Sequence, residues 1–209
     1  MSTAYTYIAT QRAWIEELDV MDTMQSLISR VSVPPRLLGD PAPSGVDFDE
    51  IMAAAMSAPD HGALTPWRFI TIEGEARAKL GEVFVDALKK RDPDADEAAI
   101  EKERNRPMRS PMIVVAVAKI DDTVANVPSI EQAVATGIAA YNIIVAAQAK
   151  GFGGILLTGK NAQDSNVKAA LGLDETDEIV SFVYLGTPIK QVSDKRRPEA
   201  TQFLSEWTG

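Results

Sequence analysis

Apolar residues along the chain follow a helical period in some segments and form short continuous runs in others. Met21, Met24, Leu27 and Ile28 share one helical face, which predicts a first helix ending before residue 31. Residues 31–45 contain four prolines and two glycines, so no regular structure is predicted there. Asp47–Met56 is predicted to be a second helix, because an acidic first turn favours the positive end of the helix dipole.

The rest of the chain predicts a few strands surrounded by helices. The run of β-branched residues at 111–119 predicts a central strand covered on both faces, and the long segment 128–151 predicts a helix buried on several sides. The other predicted strands are 68–74, 153–157 and 178–186, and the other predicted helices are 75–90, 94–106 and 165–172. These elements predict one α+β domain over residues 21–190, after an N-terminal extension (1–20) and before a C-terminal tail (191–209) that docks on the domain or on a partner subunit.

Composition excludes several classes of function. The formal net charge of −9 argues against nucleic acid as a partner. The absence of cysteine excludes disulfides, thiolate nucleophiles and Cys-ligated metals. The N-terminus does not have the pattern of a signal peptide, and no stretch is expected to span a membrane, so a cytoplasmic protein is predicted.

The single histidine, His61, lies in the loop SAPDHGALTPWRF. A catalytic triad would need a Ser or Cys nucleophile, yet the sequence has neither Cys nor a GxSxG motif. A metal site would need further ligands, and neither a second histidine nor a spaced carboxylate pair accompanies this one. Neither chemistry is therefore expected. His61 either contacts a ligand or completes a turn beside Asp60 and Gly62.

Two other stretches could bind an anion. Arg30 and Ser32 follow the first helix, where the arginine is either solvated or grips an anion together with the hydroxyl. Gly154, Gly159 and Lys160 have the spacing of a phosphate-binding P-loop. The apolar interior of that loop, and Asn161 in place of the expected Ser or Thr, argue for a strand instead.

Taken in order, these motifs resemble the flavin-dependent nitroreductase family, in its compact branch of NAD(P)H nitroreductases. The resemblance covers residues 21–190 and rests on Arg30-Val31-Ser32, the segment Ala58–Trp67, the WRFITIEGEAR stretch, GFGGI at 151–155 and YLGTP at 184–188. It implies a central, mainly antiparallel sheet surrounded by helices, an intertwined homodimer, and FMN bound at two sites between the subunits. It also implies that NADH or NADPH is the electron donor.

The resemblance implies a set of cofactor-binding residues and no catalytic side chain, since the chemistry takes place on the flavin. Two positions depart from the family pattern, because Val31 and Leu157 stand where arginines are usual. Arg196 and Arg197, in the basic run that begins at Lys195, are hypothesised to supply the missing charge. The full predicted set is Arg30, Val31, Ser32, Ser57, His61, Leu156, Leu157, Thr158, Arg196 and Arg197.

The implied activity is the reduction of nitroaromatics, quinones or similar small acceptors by NAD(P)H. Because two arginines are missing, an alternative is a homodimer that binds flavin or another small ligand with little turnover. A P-loop nucleotide-binding protein is a third, weaker hypothesis.

Overall fold

A computed structural model describes residues 20–193 and 196–209. The predicted extension (1–20) lies outside the described residues except for Val20, and so does Lys195 of the basic run. The described helices are α1 (Val20–Ser29), α2 (Gly45–Met56), α3 (Glu75–Arg91), α4 (Glu97–Arg104), α5 (Ser129–Ala149) and α6 (Ser165–Ala170). The strands are β1 (Leu38–Gly39), β2 (Trp67–Glu73), β3 (Met112–Ala118), β4 (Gly153–Leu157) and β5 (Glu178–Pro188).

The five strands form one antiparallel sheet, as expected for this α+β fold. The pairing order is β1-β5-β3-β2, and β4 also pairs with β5. The long strand β5 therefore organises the sheet, since it holds Met112 opposite Leu185, Gly153 opposite Gly186, and Leu38 opposite Pro188. The register between β3 and β5 shifts at Ala116/Val117.

Strand β3 is the centre of the hydrophobic core, and all of its residues are buried. Its side chains alternate between the two faces of the sheet, as a strand requires. Ile113, Val115 and Val117 pack with α3 and α6, whereas Met112, Val114 and Ala116 pack with α2 and α5. This double coverage confirms the predicted central strand.

Helix α5 corrects the expectation that no stretch could span a bilayer. Over Ser129–Ala149 it is long and apolar enough to cross a membrane by length and composition. In the structure, 44% of its most apolar window is buried inside the fold. Ala139, Ile143 and Ala147 face the sheet and α2, so packing in the core accounts for the apolar character of that side.

The proline-rich stretch 31–45 is more regular than predicted. Pro35–Leu37 forms a 3-10 turn and β1 follows at once. The Ile189 amide donates to the Leu37 carbonyl at 3.0 Å, and β1 pairs with the last two residues of β5. Pairing with a strand about 150 residues away extends this segment despite its prolines, and it also extends β5 beyond its predicted end.

Several apolar groups outside the core stay exposed in a single chain. Met24, Leu27 and Ile28 of α1 are exposed, and so are Ile130 and Val134 of α5. In the tail, Phe203, Leu204 and Trp207 are also exposed, so these three do not dock on their own domain.

Two glycines meet where β1, β4 and β5 converge. A Cβ on Gly186 would lie 2.8 Å from the Gly39 carbonyl oxygen and 2.8 Å from the Pro111 ring. A Cβ on its register partner, Gly153, would lie 2.9 Å from three side-chain atoms, of Leu38, Val33 and Pro188. The neighbours of Gly186 are a backbone group and a proline ring, which cannot move easily, whereas two of those of Gly153 are tips of flexible side chains.

This difference predicts a rank order of stability. Gly186→Ala should lower the free energy of unfolding by about 1–3 kcal/mol, the usual cost of overpacking a core. Gly153→Ala should cost less, because Leu38 and Val33 can adjust their rotamers. Urea denaturation of both variants beside the wild type measures the two losses. Equal losses, or the reverse order, would contradict this account of the packing.

Candidate cofactor site

The predicted Arg30-Val31-Ser32 signature lies directly after the carbonyl end of α1. Arg30 Nη1 donates to Ser32 Oγ at 3.2 Å, and the Arg30 guanidinium carbon lies 6.0 Å from the centroid of the Tyr141 ring on α5. The Val31 amide donates to Gln148 Oε1 at 3.1 Å. Tyr141 and Gln148 therefore fix the signature against α5, although neither belongs to a motif that could be recognised from the sequence.

The tail reaches this signature through one predicted residue. Arg197 Nη2 donates to the backbone carbonyl of Arg30, and also to that of Ile28 at 3.5 Å. A cation at the last carbonyls of a helix is favourable because the dipole is negative there. Arg196 is exposed and lies with Arg197 on a shallow cavity of about 310 Å³. The structure thus brings a second guanidinium to the first signature.

Strand β4 presents its predicted residues in different directions. Leu157 packs into the core with α3 and α6, so its side chain does not point towards a ligand, and its carbonyl accepts from Ser181 Oγ at 3.3 Å. Leu156 is partly exposed, at 37%. Thr158 is exposed and lines a cavity of about 440 Å³ together with Lys160.

The same geometry argues against a P-loop. Gly154, Ile155, Leu156 and Leu157 belong to β4 and pair with β5, so successive amides point to opposite sides of the strand. The Gly154 carbonyl accepts from the Val33 amide at 3.0 Å. A phosphate cradle needs free amides that converge on one point, and a paired strand does not provide them.

Ser57 and His61 lie at two further positions along α5. Ser57 Oγ donates to the Ala54 carbonyl at 2.7 Å, and Asn142 Nδ2 of α5 donates to the same carbonyl at 3.1 Å. Further along, His61 Nδ1 lies 2.6 Å from Oε2 of Glu131 in the first turn of α5. His61 therefore contacts a carboxylate of α5.

The loop that carries His61 has an unusual backbone. Gly62, Ala63 and Thr65 all have positive φ, at 76°, 51° and 48°, a region that alanine and β-branched threonine rarely adopt. Asp60 Oδ2 accepts from the Thr65 amide at 2.6 Å and closes the loop. Strained backbone of this kind clusters at functional sites, which favours a ligand-binding role for the loop.

A cleft of about 390 Å³ adjoins this loop at Leu64–Pro66. Lys119 lies in it, with Nζ 2.7 Å from Asp177 Oδ2 and 2.9 Å from Asp174 Oδ2. The hydrogen bond to Asp177, and then that to Asp174, raise the pKa of Lys119 above its ordinary value. Lys119 therefore stays charged and neutralises part of this acidic cleft.

The two halves of the predicted site lie at separate positions along α5. The Arg30 guanidinium lies over Tyr141, and His61 contacts Glu131. Ten helical positions separate these two partners, which is about 15 Å along the axis. In the part of the chain that the structure describes, no group of three or more His, Asp or Glu side chains could hold a metal ion.

Together, the antiparallel five-stranded sheet, the two helical layers and the arginine–hydroxyl pair at the end of α1 define the class of nitroreductase-like α+β proteins. The family model described as "Nitroreductase family" matches residues 28–187. The chain belongs to the nitroreductase family, which confirms the predicted family and its class of enzyme, the oxidoreductases.

Similar proteins and structures agree with this membership. "Putative NAD(P)H nitroreductase YdjA" of Escherichia coli (strain K12) is 39% identical over 186 residues, covering 88% of this chain and 99% of that one. A Haemophilus influenzae protein named "Putative NAD(P)H nitroreductase" is 36% identical over 177 residues, covering 85% and 94%.

Solved structures share the fold at lower identity. A nitroreductase-like family protein from Bacillus cereus has a TM-score of 0.75 at 22% identity, covering 89% of this chain and 96% of that one. A protein described as "a putative nitroreductase in complex with fmn" from Desulfovibrio desulfuricans has a TM-score of 0.65 at 21% identity, covering 89% and 97%. These likenesses confirm the predicted fold class.

The strained loop generates a prediction of its own. Asp60→Ala removes the acceptor of the Thr65 amide, so this amide should lose its protection from hydrogen exchange, while the amides of β3 keep theirs. Asp121→Ala is a matched control, because Asp121 Oδ1 accepts from the Thr123 amide at 2.9 Å in a different loop. Unchanged exchange at Thr65 in the Asp60 variant would show that the hydrogen bond does not hold the loop.

Proposed function

We propose that this protein is an FMN-dependent oxidoreductase that uses NADH or NADPH to reduce nitroaromatics, quinones or similar small acceptors in the cytoplasm. The observation that carries the proposal is the cluster at the end of α1, where Arg30, Ser32 and Arg197 meet. The names of the relatives, NAD(P)H nitroreductases, and the FMN complex of the Desulfovibrio protein support the choice of cofactor and donor.

The residues of the signature fit the phosphate of FMN. A guanidinium has five N–H donors, and Arg30 uses one of them on Ser32. Arg30 therefore keeps donors for a phosphate dianion. Ser32 adds a hydroxyl. Arg197 adds positive charge beside Arg30, because its guanidinium donates to the Arg30 carbonyl. In a protein of net charge −9, this local concentration of cations distinguishes the site from its surroundings.

The absence of arginine at positions 31 and 157 makes the site less suited to the FMN phosphate, but the remaining groups can still bind it. Val31 offers only its amide, which is bound to Gln148, and Leu157 faces the core. We infer that Thr158 and backbone groups of β4 line the site beside Arg30, and that Arg196 or Arg197 replaces the lost charge.

A homodimer would bring the two halves of the site together. If two copies pack with their α5 helices antiparallel, the signature end of one helix meets the histidine end of the other. The exposed apolar side chains on α1 and α5 support such an interface. So do Phe203, Leu204 and Trp207 in the tail, which are exposed in a single chain.

In this assembly the protein binds and orients the flavin, and the redox chemistry takes place on the flavin. When bound there, FMN would supply the redox chemistry, which is hydride transfer from the nicotinamide and electron transfer to the acceptor. Arg30, Ser32 and Arg197 hold its phosphate end. Ser57 and His61 approach the flavin from the partner subunit, and no side chain of the chain is assigned a proton-transfer step.

One alternative function has a specific observation in its favour. Because Val31 and Leu157 provide no cation and Arg197 is partly engaged by backbone carbonyls, the protein could bind flavin with little turnover. The visible spectrum separates the two functions. A yellow protein that NADH or NADPH bleaches supports the oxidoreductase, and a yellow protein that neither donor bleaches supports the binding function.

The shared site predicts complementation between two defective subunits. Arg30→Ala should weaken FMN binding on the order of 10- to 100-fold, the value of charge-assisted hydrogen bonds, and His61→Ala should weaken it less. A heterodimer of the two variants, purified through two different affinity tags, has one intact site. It should therefore recover about half of the wild-type FMN content when FMN is near its wild-type dissociation constant.

The control places both substitutions in one chain, paired with a wild-type chain. Each of the two sites then has one defect, so this heterodimer should bind less FMN than the first, and only at the site whose defect is His61→Ala. Equal FMN contents in the two heterodimers would contradict a site shared between subunits.

The tail predicts a difference between two flavins. Replacing Arg196 and Arg197 together by alanine should weaken FMN more than riboflavin, because only FMN carries a phosphate. Added salt should reduce the difference, since it screens charge. Replacing Lys79 and Lys89, two exposed lysines of α3, is the control for the loss of two positive charges. Fluorescence titration measures both affinities, and an unchanged ratio in the double variant would show that the tail is not part of the phosphate site.

A further inference from the structure

The contact between His61 and Glu131 determines which ring nitrogen of the histidine is available. His61 Nδ1 lies 2.6 Å from Glu131 Oε2. An ionised carboxylate only accepts hydrogen bonds, so Nδ1 carries the proton in this contact. Nε2 is then the nitrogen left for another partner.

His61 and Glu131 both belong to backbone segments that other hydrogen bonds hold in place. On the His61 side, Asp60 closes the loop on Thr65. On the Glu131 side, the neighbouring Gln132 is buried and exchanges hydrogen bonds with the backbone of Asp121 at 2.9 Å. The pair therefore joins two segments that are already fixed, although the two residues are 70 positions apart in sequence.

The pair contributes little to the stability of the fold. The side chains of His61 and Glu131 are 59% and 47% exposed, and ion pairs this exposed are weak in water. Its main effect is on the imidazole, because holding one nitrogen fixes both the orientation of the ring and its tautomer.

We propose that Glu131 is a positioning residue that holds His61 by Nδ1 and presents Nε2 to the flavin. The inference rests on the proposed function, since FMN is the ligand that His61 serves. Glu131 itself does not contact the flavin and acts only through the histidine.

Because His61 is the only histidine in the sequence, the tautomer can be observed without assignment. In untagged, FMN-loaded protein with ¹⁵N-labelled histidine, long-range ¹H–¹⁵N spectra at a pH where the ring is neutral should show a protonated Nδ1. Glu131→Gln should populate the other tautomer, because a glutamine amide can donate to Nδ1 as well as accept from it. An unchanged tautomer in this variant would overturn the proposal.

A double-mutant cycle tests whether Glu131 acts through His61. Glu131→Gln should weaken FMN binding by roughly two- to fivefold, the size expected for a half-exposed pair. The same substitution in a His61→Ala background should have no further effect. An equal loss in both backgrounds would show that Glu131 acts independently of His61 and would overturn the proposal.

Glu75→Gln is the matched control, because Glu75 is an exposed glutamate in the first turn of α3. It removes the same helix-dipole interaction as Glu131→Gln and should change neither FMN affinity nor the His61 spectrum. Failure of the wild type to bind FMN would overturn the proposed function and the positioning role together. FMN binding by the wild type without coupling between Glu131 and His61 would overturn the positioning role alone.

Discussion

The packing of α5 against the sheet is the interaction on which the rest of the structure depends. One side of this helix closes the core over β3 and β5 through small and β-branched residues such as Ala139 and Ile143. Its polar side chains then anchor the two halves of the candidate site, Gln148 at one end and Glu131 at the other. The rise per residue of an α-helix is fixed, so α5 sets the distance between the two halves along its axis. The loops that carry the site residues do not set that distance.

Positive charge is concentrated at the signature end of α5, although the protein as a whole is acidic. Arg197 donates to the backbone of Arg30, so two cations share one end of α1. Like charges repel, and the negative end of the helix dipole offsets only part of that repulsion. A bound anion would offset more of it. The local electrostatics therefore favour a phosphate-bearing ligand even though the chain as a whole is acidic.

Local patterns in the sequence predicted most of the fold and one contact within the candidate site. The continuous apolar run in 111–119 and the apolar length of 128–151 correspond to β3 and α5, because burial on both faces of a strand or along a helix leaves a local signature. Arg30 and Ser32 could be paired from the sequence because they lie two positions apart in one short motif. Arg197, 167 positions from Arg30, was proposed from its charge and from the resemblance and not from a local pattern. Gln148 was not predicted, since it is 117 positions from Val31 and no local pattern joins them. The inward direction of Leu157 likewise depends on the register of β4 with β5.

The convergence of Gly153 and Gly186 has a consequence for how such proteins are recognised. Both glycines belong to motifs that mark the resemblance, GFGGI and YLGTP, and both are held by close packing of backbone and side chains rather than by a ligand. Selection for a folded sheet alone would preserve these motifs. A descendant that no longer binds flavin would therefore keep both motifs intact. Only substitutions of the arginines at the end of α1 and in the tail would show that flavin binding had been lost.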